Sequence, residues 1–556
     1  MRPFIPYALI AACSVLFLTA TACTTEEVGP SQGETEAQPD EESFEPVRAP
    51  ELLGDMSLDE KIGQLLVLTA QGASAEDNTQ MIETYSPGGI IYFDDNLQDT
   101  EQIAQLSAGA QELAAETGQG VPLFIGIDQE QGRVVRLPVG TLFPDAMAVG
   151  ATGDTELAAL RASTTADELR ALGVNLNYAP VADVNTDPDN PVIGIRSFGS
   201  DPDLVSDMVL AEADAYADHG VVPVVKHFPG HGDTDVDSHT GLPVIDLPRD
   251  RWEAEHLPPF REAVEAGVDA IMTAHVLMPQ LDDNEDSDPA TLSPTLIDEI
   301  LREELGYDGV VTTDALNMEG VRQTHSDGEI AVRALEAGVD QLLMPADPDE
   351  AVSAIRTAVD EGRLSEERID ESVLRVLTLK EKRGVLDTEP VDPDAAGATV
   401  GATEHQEAAQ RVADASATLV RNEGDLLPLA EGTNVSVRGE GRSMIEDGLN
   451  DTGVNLVDGS ADVVVIGTNG ARGSQEQRAL VDSVREQGTP VIVVAQGGPY
   501  DLEAFPDVDA FIAVYSDVEV SLVAAARVIS GQVDPSGTLP VAIPGADVEA
   551  GTGLQF

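Results

Sequence analysis

Cysteine is nearly absent from this 556-residue chain: there are two, Cys13 and Cys23, both near the amino terminus. The folded regions downstream can therefore form no disulfide, use no thiol nucleophile and ligate no zinc through sulfur. Positive charge is scarce too. Thirty Lys+Arg against 101 Asp+Glu give 30 − 101 = −71, and the lysines are only Lys61, Lys226, Lys380 and Lys382. Such a surface repels phosphate backbones, which excludes nucleic-acid partners. A lysine-poor acidic coat predicts tolerance of high salt, because exposed charges repel one another over about 10 Å at 0.1 M salt but only about 3 Å at 1 M. The expected outcome is a melting temperature that falls on dialysis into low salt and recovers in high salt. Long apolar runs are also missing, apart from Phe4–Ala20. Hydrophobic residues still make up 42% of the chain, enough for sizeable cores, so disorder throughout is excluded.

The Phe4–Ala20 run follows a lone Arg2, is short for a membrane span, and ends in small residues before Cys23. It reads as a secretory signal over 1–23 that resembles a bacterial lipoprotein signal, with Cys23 the lipidated residue. Ala20 stands where Leu is usual. Cys13 has closer flanks, but the apolar run before it is too short. A plain cleaved signal is the alternative. Residues 24–50 are rich in Glu, Pro, Gln and Ser and read as an acidic tether. About 27 flexible residues span roughly 30 Å. The expected location is outside the cytoplasm, lipid-anchored to the outer face of the bacterial cell membrane, and membrane contact is expected only through that anchor.

Residues 51–386 alternate short apolar runs with helical patterns. The runs are Ile62–Leu68, Gly89–Phe93, Leu123–Ile127, Val174–Tyr178, Val221–Val225, Ala270–Thr273, Val310–Thr312 and Gln341–Met344. Between them lie amphipathic stretches such as Thr100–Glu116, Glu156–Leu172, Asp203–His219, Glu253–Ala266 and Pro294–Leu305. Nearly uniform apolar strands imply a parallel sheet covered on both faces, and eight units suit a (β/α)8 TIM barrel, with a doubly wound open sheet as the alternative. Polar residues track the strand ends: Asp128, Asp183, Lys226 with His227, His275, Asp314 and Asp347. A barrel gathers such ends around one mouth. Residues 387–403 read as a linker, and 404–556 as a smaller α/β layered sandwich domain. Its strand-like runs include Val463–Ile466 and Val491–Ala495.

The densest chemical signal is Lys226-His-Phe-Pro-Gly-His-Gly-Asp-Thr-Asp-Val-Asp-Ser-His239, which holds three of the eight histidines. A turn could pair Asp237 with His239, raising the imidazole's pKa and fixing its tautomer for acid/base work near neutral pH. The bland alternative is a solvated loop. A calcium loop fails, because Ser238 takes the obligatory glycine position, and the histidine spacing is not a familiar zinc pattern. Asp314, in Thr312-Thr-Asp314-Ala-Leu-Asn-Met, leaves a buried strand toward the mouth. It suits a nucleophile on a sugar carbon, a metal ligand or a helix N-cap.

Together these segments resemble glycoside hydrolase family 3, and within it the two-domain, lipoprotein-like branch of bacterial β-N-acetylhexosaminidases that trim peptidoglycan fragments. Ile127-Asp-Gln-Glu-Gln-Gly-Arg133-Val-Val-Arg136 is similar to the family's first substrate motif, with Gln131 where Gly is usual. Asn190-Pro-Val-Ile-Gly-Ile-Arg196-Ser-Phe-Gly is similar to the second, and Pro535–Pro544 to the carboxyl-terminal domain of two-domain members. The resemblance implies Asp314 as nucleophile and His239, oriented by Asp237, as general acid/base. It implies that Asp128, Arg136, Arg196, Lys226 and His227 hold the sugar, with no metal and no cofactor. The implied activity is retaining, exo-acting hydrolysis of terminal β-GlcNAc from a GlcNAc-containing muropeptide or chitooligosaccharide, by a monomer. Phosphorolysis, a β-glucosidase of the same family, and a lipid-anchored carbohydrate-binding protein without turnover are the alternatives.

Overall fold

Eight short parallel strands form the first sheet: β1 (Leu66–Thr69), β2 (Gly89–Ile91), β3 (Phe124–Ile127), β4 (Leu176–Asn177), β5 (Val222–Phe228), β6 (Ala270–Thr273), β7 (Val310–Thr312) and β8 (Leu342–Leu343). The structure, a computed structural model, describes residues 44–234, 236, 238, 241–282, 288–323, 325–388, 391–450 and 452–556. The strand order is β7-β6-β5-β4-β3-β2-β1-β8. A parallel bridge between Thr312 and Gln341 brings β7 back to the β8 edge, so the sheet curls into a nearly closed barrel. Valine, isoleucine and leucine fill both sides of it. Val67, Ile91, Phe124, Leu176, Val222, Val224 and Met272 pack together in the lumen, while a larger apolar layer lies between strands and outer helices.

Two expected elements differ, for local reasons. The run Ile62–Leu68 is not one strand: residues Leu58–Gln64 are helical and β1 starts at Leu66. Ser57 and Glu60 make a reciprocal capping box, which satisfies amide groups at the helix start and turns the apolar run helical before the strand begins. The stretch Glu253–Ala266 is two helices, Arg249–Glu255 and Pro258–Glu265. Pro258 has no N–H to offer a continuing helix and instead starts the second one. The 387–403 stretch contains a helix, Pro393–Thr399. Beyond it, the Gly401 amide and His405 Nδ1 reach Glu168 Oε1 at 2.9 and 2.8 Å, fastening the connection to a barrel helix.

The second sheet contains β9 (Thr418–Asn422), β10 (Asn434–Gly439), β11 (Asn455–Leu456), β12 (Val463–Thr468), β13 (Val491–Ala495) and β14 (Ala510–Ala513). Its order is β11-β10-β12-β13-β14-β9, parallel except for the antiparallel edge strand β9. Apolar residues on both faces are covered, one face by a cluster that includes Val463, Val465 and Leu449, the other by one that includes Val464, Ile466 and Phe505. The expected architecture, a TIM barrel followed by a layered α/β domain, is therefore the one observed.

At the amino-terminal end of the barrel, Lys380 is fully buried. Its Nζ lies 3.0 Å from Gln64 Oε1 and 5.1 Å from the Phe124 ring centroid. Burial pushes its pKa down to about 7. From about pH 7 up to the ordinary lysine range, the unfolded chain then holds a proton that the folded chain has released, so stability rises with pH across that window. The comparison with Lys380→Met isolates this group. From pH 7 to pH 9.5 the unfolding free energy of the native protein should gain about 3 kcal/mol on that of the variant. A difference between the two that stays constant with pH would refute a neutral buried amine.

Candidate active site

The carboxyl ends of the strands surround a cavity of about 330 Å3, lined by residues that include Asp128, Glu130, Arg136, Arg196, Lys226, His227 and Asp314. That size is at the lower end for small-ligand sites. Six of the expected site residues, Asp128, Arg136, Arg196, Lys226, His227 and Asp314, thus share one pocket. Asp237 and His239 lie outside the described residues, as does Cys23.

Lys226 and His227 are the fifth and sixth residues of β5, so the strand itself delivers them. Lys226 Nζ is 2.8 Å from Asp128 Oδ1 and 2.6 Å from Glu130 Oε1. Arg196 grips Glu130 through two parallel bonds, Nε to Oε2 and Nη2 to Oε1, each 2.8 Å. Burial pushes the Glu130 carboxyl up, but Arg196 and Lys226 outweigh it and hold it far below the usual carboxylate range. Burial pulls Lys226 down, but Asp128 and Glu130 more than restore it, above the usual lysine range. The three charges remain, and they present fixed donors and acceptors to a polyol. Sequence reasoning passes over Glu130, although an acid two positions after Asp128, in the motif that contains Arg136, was a usable signal.

The residues behind this wall are buried hydrogen-bond anchors. Asn177 Nδ2 donates to Gln129 O and its Oδ1 accepts from the Gln129 amide, which ties β4 to the loop after β3. Gln131 has φ 70°, a left-handed conformation in which Gly is the easy choice. Its side chain holds it there, with Oε1 accepting from the Phe143 amide and Nε2 donating to Thr165 Oγ1. Arg136 lies with Cζ 5.2 Å from the Phe93 ring centroid and Nη1 3.8 Å from Asp94 Oδ1, so its guanidinium is only loosely paired.

Asp183 organises the histidine loop. Its Oδ2 is 2.6 Å from His227 Nδ1, and its Oδ1 accepts from the His231 amide at 2.6 Å and the His227 amide at 3.3 Å. Burial pushes Asp183 up, but the His227 and His231 imidazoles and the His231 amide outweigh it, so the carboxyl is held below its usual range. An ionised carboxylate only accepts, so His227 Nδ1 carries the proton. Burial pushes His231 down to about 4, leaving a neutral ring whose Nε2 lies 3.0 Å from Ser238 Oγ. The loop's path needs Gly232: a Cβ there would lie 1.7 Å from Val184 O. Ser238, which also lines the cavity, accepts from the Gly320 amide at 3.2 Å through its carbonyl. The histidine loop is thereby pinned against the segment that follows β7.

Asp314 stands on that segment. Its Oδ1 accepts from the Ala315 amide at 2.7 Å. It is not a helix N-cap, since the next helix, Glu319–Arg322, is capped at Met318. Burial pushes the carboxyl up, but the imidazoles of His275 and His227, the Ala315 amide and Lys226 outweigh it and keep it below the usual range. His275, two residues beyond β6, bonds Thr291 Oγ1 and Ala315 O and so supports the Asp314 segment from behind. Met272, Met318, Leu343, Met344 and Phe93 complete an apolar wall. Asp347 does not join the site. It is exposed and caps the helix Pro348–Glu361 through the Glu350 amide at 3.0 Å. The chain turns outward after Met344, so the eighth strand end offers apolar surface, not a carboxylate.

An ionised carboxylate facing a wall of fixed polar groups across a pocket suits nucleophilic attack on a sugar carbon. Comparison with known proteins agrees. The family model described as Glycosyl hydrolase family 3 N terminal domain matches residues 57–379, and that described as Glycosyl hydrolase family 3 C-terminal domain matches 458–552. Beta-hexosaminidase A of Pseudoalteromonas piscicida is 38% identical over 381 residues, 64% of this chain and 63% of that protein, so the match spans less than two thirds of that relative's length. Beta-hexosaminidase LpqI of Mycobacterium tuberculosis is 34% identical over 387 residues, 67% of this chain and 94% of that protein. The solved structure of a glycoside hydrolase family 3 beta-N-acetylglucosaminidase from Paenibacillus sp. str. FPU-7 superposes with a TM-score of 0.82 at 40% identity, covering 88% of this chain and 99% of that one.

Proposed function

This chain belongs to glycosyl hydrolase family 3, and from that premise we propose that it is a retaining, exo-acting β-N-acetylhexosaminidase that releases terminal β-linked GlcNAc. One observation carries the reading. Asp314 is a half-buried, ionised carboxylate facing the Lys226–Glu130–Arg196 cluster across a cavity fit for a single sugar. In the first step the Asp314 carboxylate attacks C1 from below and the glycosidic oxygen leaves with a proton. His239, oriented by Asp237, is the proton donor. In the second step neutral His239 takes a proton from water, which opens the glycosyl ester and restores the β configuration. Asp128, Arg196, Lys226 and His227 bind the sugar hydroxyls, and Arg136 closes the rim. The substrates are GlcNAc-terminated peptidoglycan fragments or chitooligosaccharides, met outside the cytoplasm by an enzyme anchored through a lipidated Cys23. The amino-terminal signal supports that location, and the similarity to named β-hexosaminidases supports the sugar.

The test pairs aryl β-GlcNAc with aryl β-glucoside, each with and without inorganic phosphate, followed by a GlcNAc–MurNAc fragment. Free GlcNAc should form, with the acetamido sugar preferred by at least about tenfold in kcat/KM. GlcNAc 1-phosphate formed faster than free GlcNAc, or a preference for the glucoside, would overturn the reading.

A further inference from the structure

The carboxyl-terminal sheet has the strand order of a doubly wound α/β domain, whose ligands ordinarily sit at the carboxyl ends of the strands, beside the point where the strand order reverses. Here that point falls between β10 and β12, and it is sealed. The Glu440 amide donates to Gly467 O at 2.9 Å, and Gln496 Nε2 donates to Glu440 O at 2.7 Å. The neighbouring carboxyl ends of β12, β13 and β14 are occupied by the barrel's own loops.

Contacts among the described residues show this junction. After β12, Arg472 pairs with Asp189, and its Cζ lies 5.6 Å from the Tyr500 ring centroid. After β13, Tyr500 OH accepts from Asn185 Nδ2 at 3.3 Å. Beside it Ile195, 3% exposed, is buried in the carboxyl-terminal domain's own apolar cluster. After β14, Ser516 Oγ donates to Asp145 Oδ2 at 2.7 Å, while Asp145 Oδ1 accepts from the Arg133 amide at 3.1 Å. Asn185, Asp189 and Ile195 all belong to the loop that delivers Arg196, which directly follows the seated Ile195. Arg133 and Asp145 belong to the loop that delivers Glu130. The salt-bridged wall of the sugar cavity is thus built from two loops that both rest on the second domain.

We infer that Tyr500, with Ser516, is a positioning residue for the sugar subsite: the second domain spends its ligand-binding edge on holding the Arg196 and Glu130 loops in register. This rests on the functional reading above, because it is expressed as sugar affinity. Tyr500 touches no reacting atom, so its loss should weaken binding and leave chemistry largely intact. Tyr500→Ala should raise KM for aryl β-GlcNAc, and the inhibition constant of GlcNAc, about tenfold, with kcat within about twofold. Tyr500→Phe keeps the ring between Arg472 and Ile195 and should stay within about threefold. Leu449→Ala, on the sheet's opposite face, should lower the melting temperature without moving KM. Should Tyr500→Ala not accumulate, Ser516→Ala carries the same expectation at about threefold. A folded Tyr500→Ala with unchanged KM, or a Leu449→Ala that raises KM as much, overturns the inference. If the native protein releases no GlcNAc at all, the functional reading fails instead, and the two failures are told apart.

Discussion

Replacing Asp314 by Asn should lower kcat on an aryl β-GlcNAc substrate by about 10^4-fold or more, while the variant still folds and still binds GlcNAc. An amide cannot form the glycosyl ester, so the first displacement is lost, whereas the other members of the pocket keep their partners. The side-chain oxygen of the Asp314→Asn variant can still accept from the Ala315 amide, as Asp314 Oδ1 does at 2.7 Å. Losses of this order are what removal of a nucleophile costs when the rest of a site remains in place. A 2-fluoro sugar with a good leaving group should label Asp314 in the native protein, and freshly released GlcNAc should be the β anomer by NMR. Labelling elsewhere, or an α product, would sink the nucleophile assignment. The charge state adds a pH expectation. Asp314 is held below the usual carboxylate range by His275, His227 and Lys226 against the upward push of burial. It therefore stays anionic as pH falls through the ordinary carboxylate range, and the acid limb that its protonation sets in kcat/KM should lie below that range, while loss of the general acid's proton sets the basic limb. Its contribution to stability has the matching sign. It is present above the unfolded carboxyl's pKa and lost as pH falls through the lower folded value.

How far these residues could be read in advance follows from what kind of order each reflects. The strands β6 and β7 were legible to the residue, because a strand buried on both faces has to be apolar throughout and little else in the sequence is. Asp314, Lys226 and His227 were legible because a barrel puts strand ends in one place whatever the loops do. Asp347 misled for the same reason. The rule finds the polar residue after the strand, but the turn at Met344 had already taken the chain away from the mouth, and a helix start claimed the carboxylate. Glu130 shows a different limit. Its role exists only because Arg196, far along the chain, folds back to meet it. The clamp at Tyr500 is of that kind as well: its partners Asn185 and Ile195 carry no local mark of an inter-domain contact. The Ser57–Glu60 capping box, by contrast, was in plain view, and periodicity alone overrode it.

Asp183→Asn should have the second largest effect, a loss on the order of 10^3-fold in kcat/KM together with a fall in stability of about 3 kcal/mol. The native carboxylate accepts three N–H groups, those of His227 Nδ1, the His227 amide and the His231 amide. Asparagine has one acceptor oxygen and a donor NH2, so one face must oppose an N–H or rotate away. If the oxygen keeps the two amides, the NH2 meets His227 Nδ1 and forces that nitrogen to accept. The imidazole proton then moves to Nε2, and the ring offers the substrate a donor where it had an acceptor. A wrong tautomer of this sort is costly even when every atom stays in place. If the oxygen follows Nδ1 instead, the two amides lose their partner at a fully buried position, which is where the stability cost arises. In the first case the His227 tautomer is wrong and in the second the loop that leads from His227 toward Ser238 loses its anchor, so KM and kcat should both suffer, unlike the KM-weighted change expected at Tyr500. Nitrogen-15 NMR of the histidines should show His227 protonated at Nδ1 in the native protein and at Nε2 in a variant that keeps the amides. A folded Asp183→Asn enzyme within tenfold of native kcat/KM would show that Asp183 does no more than fill space.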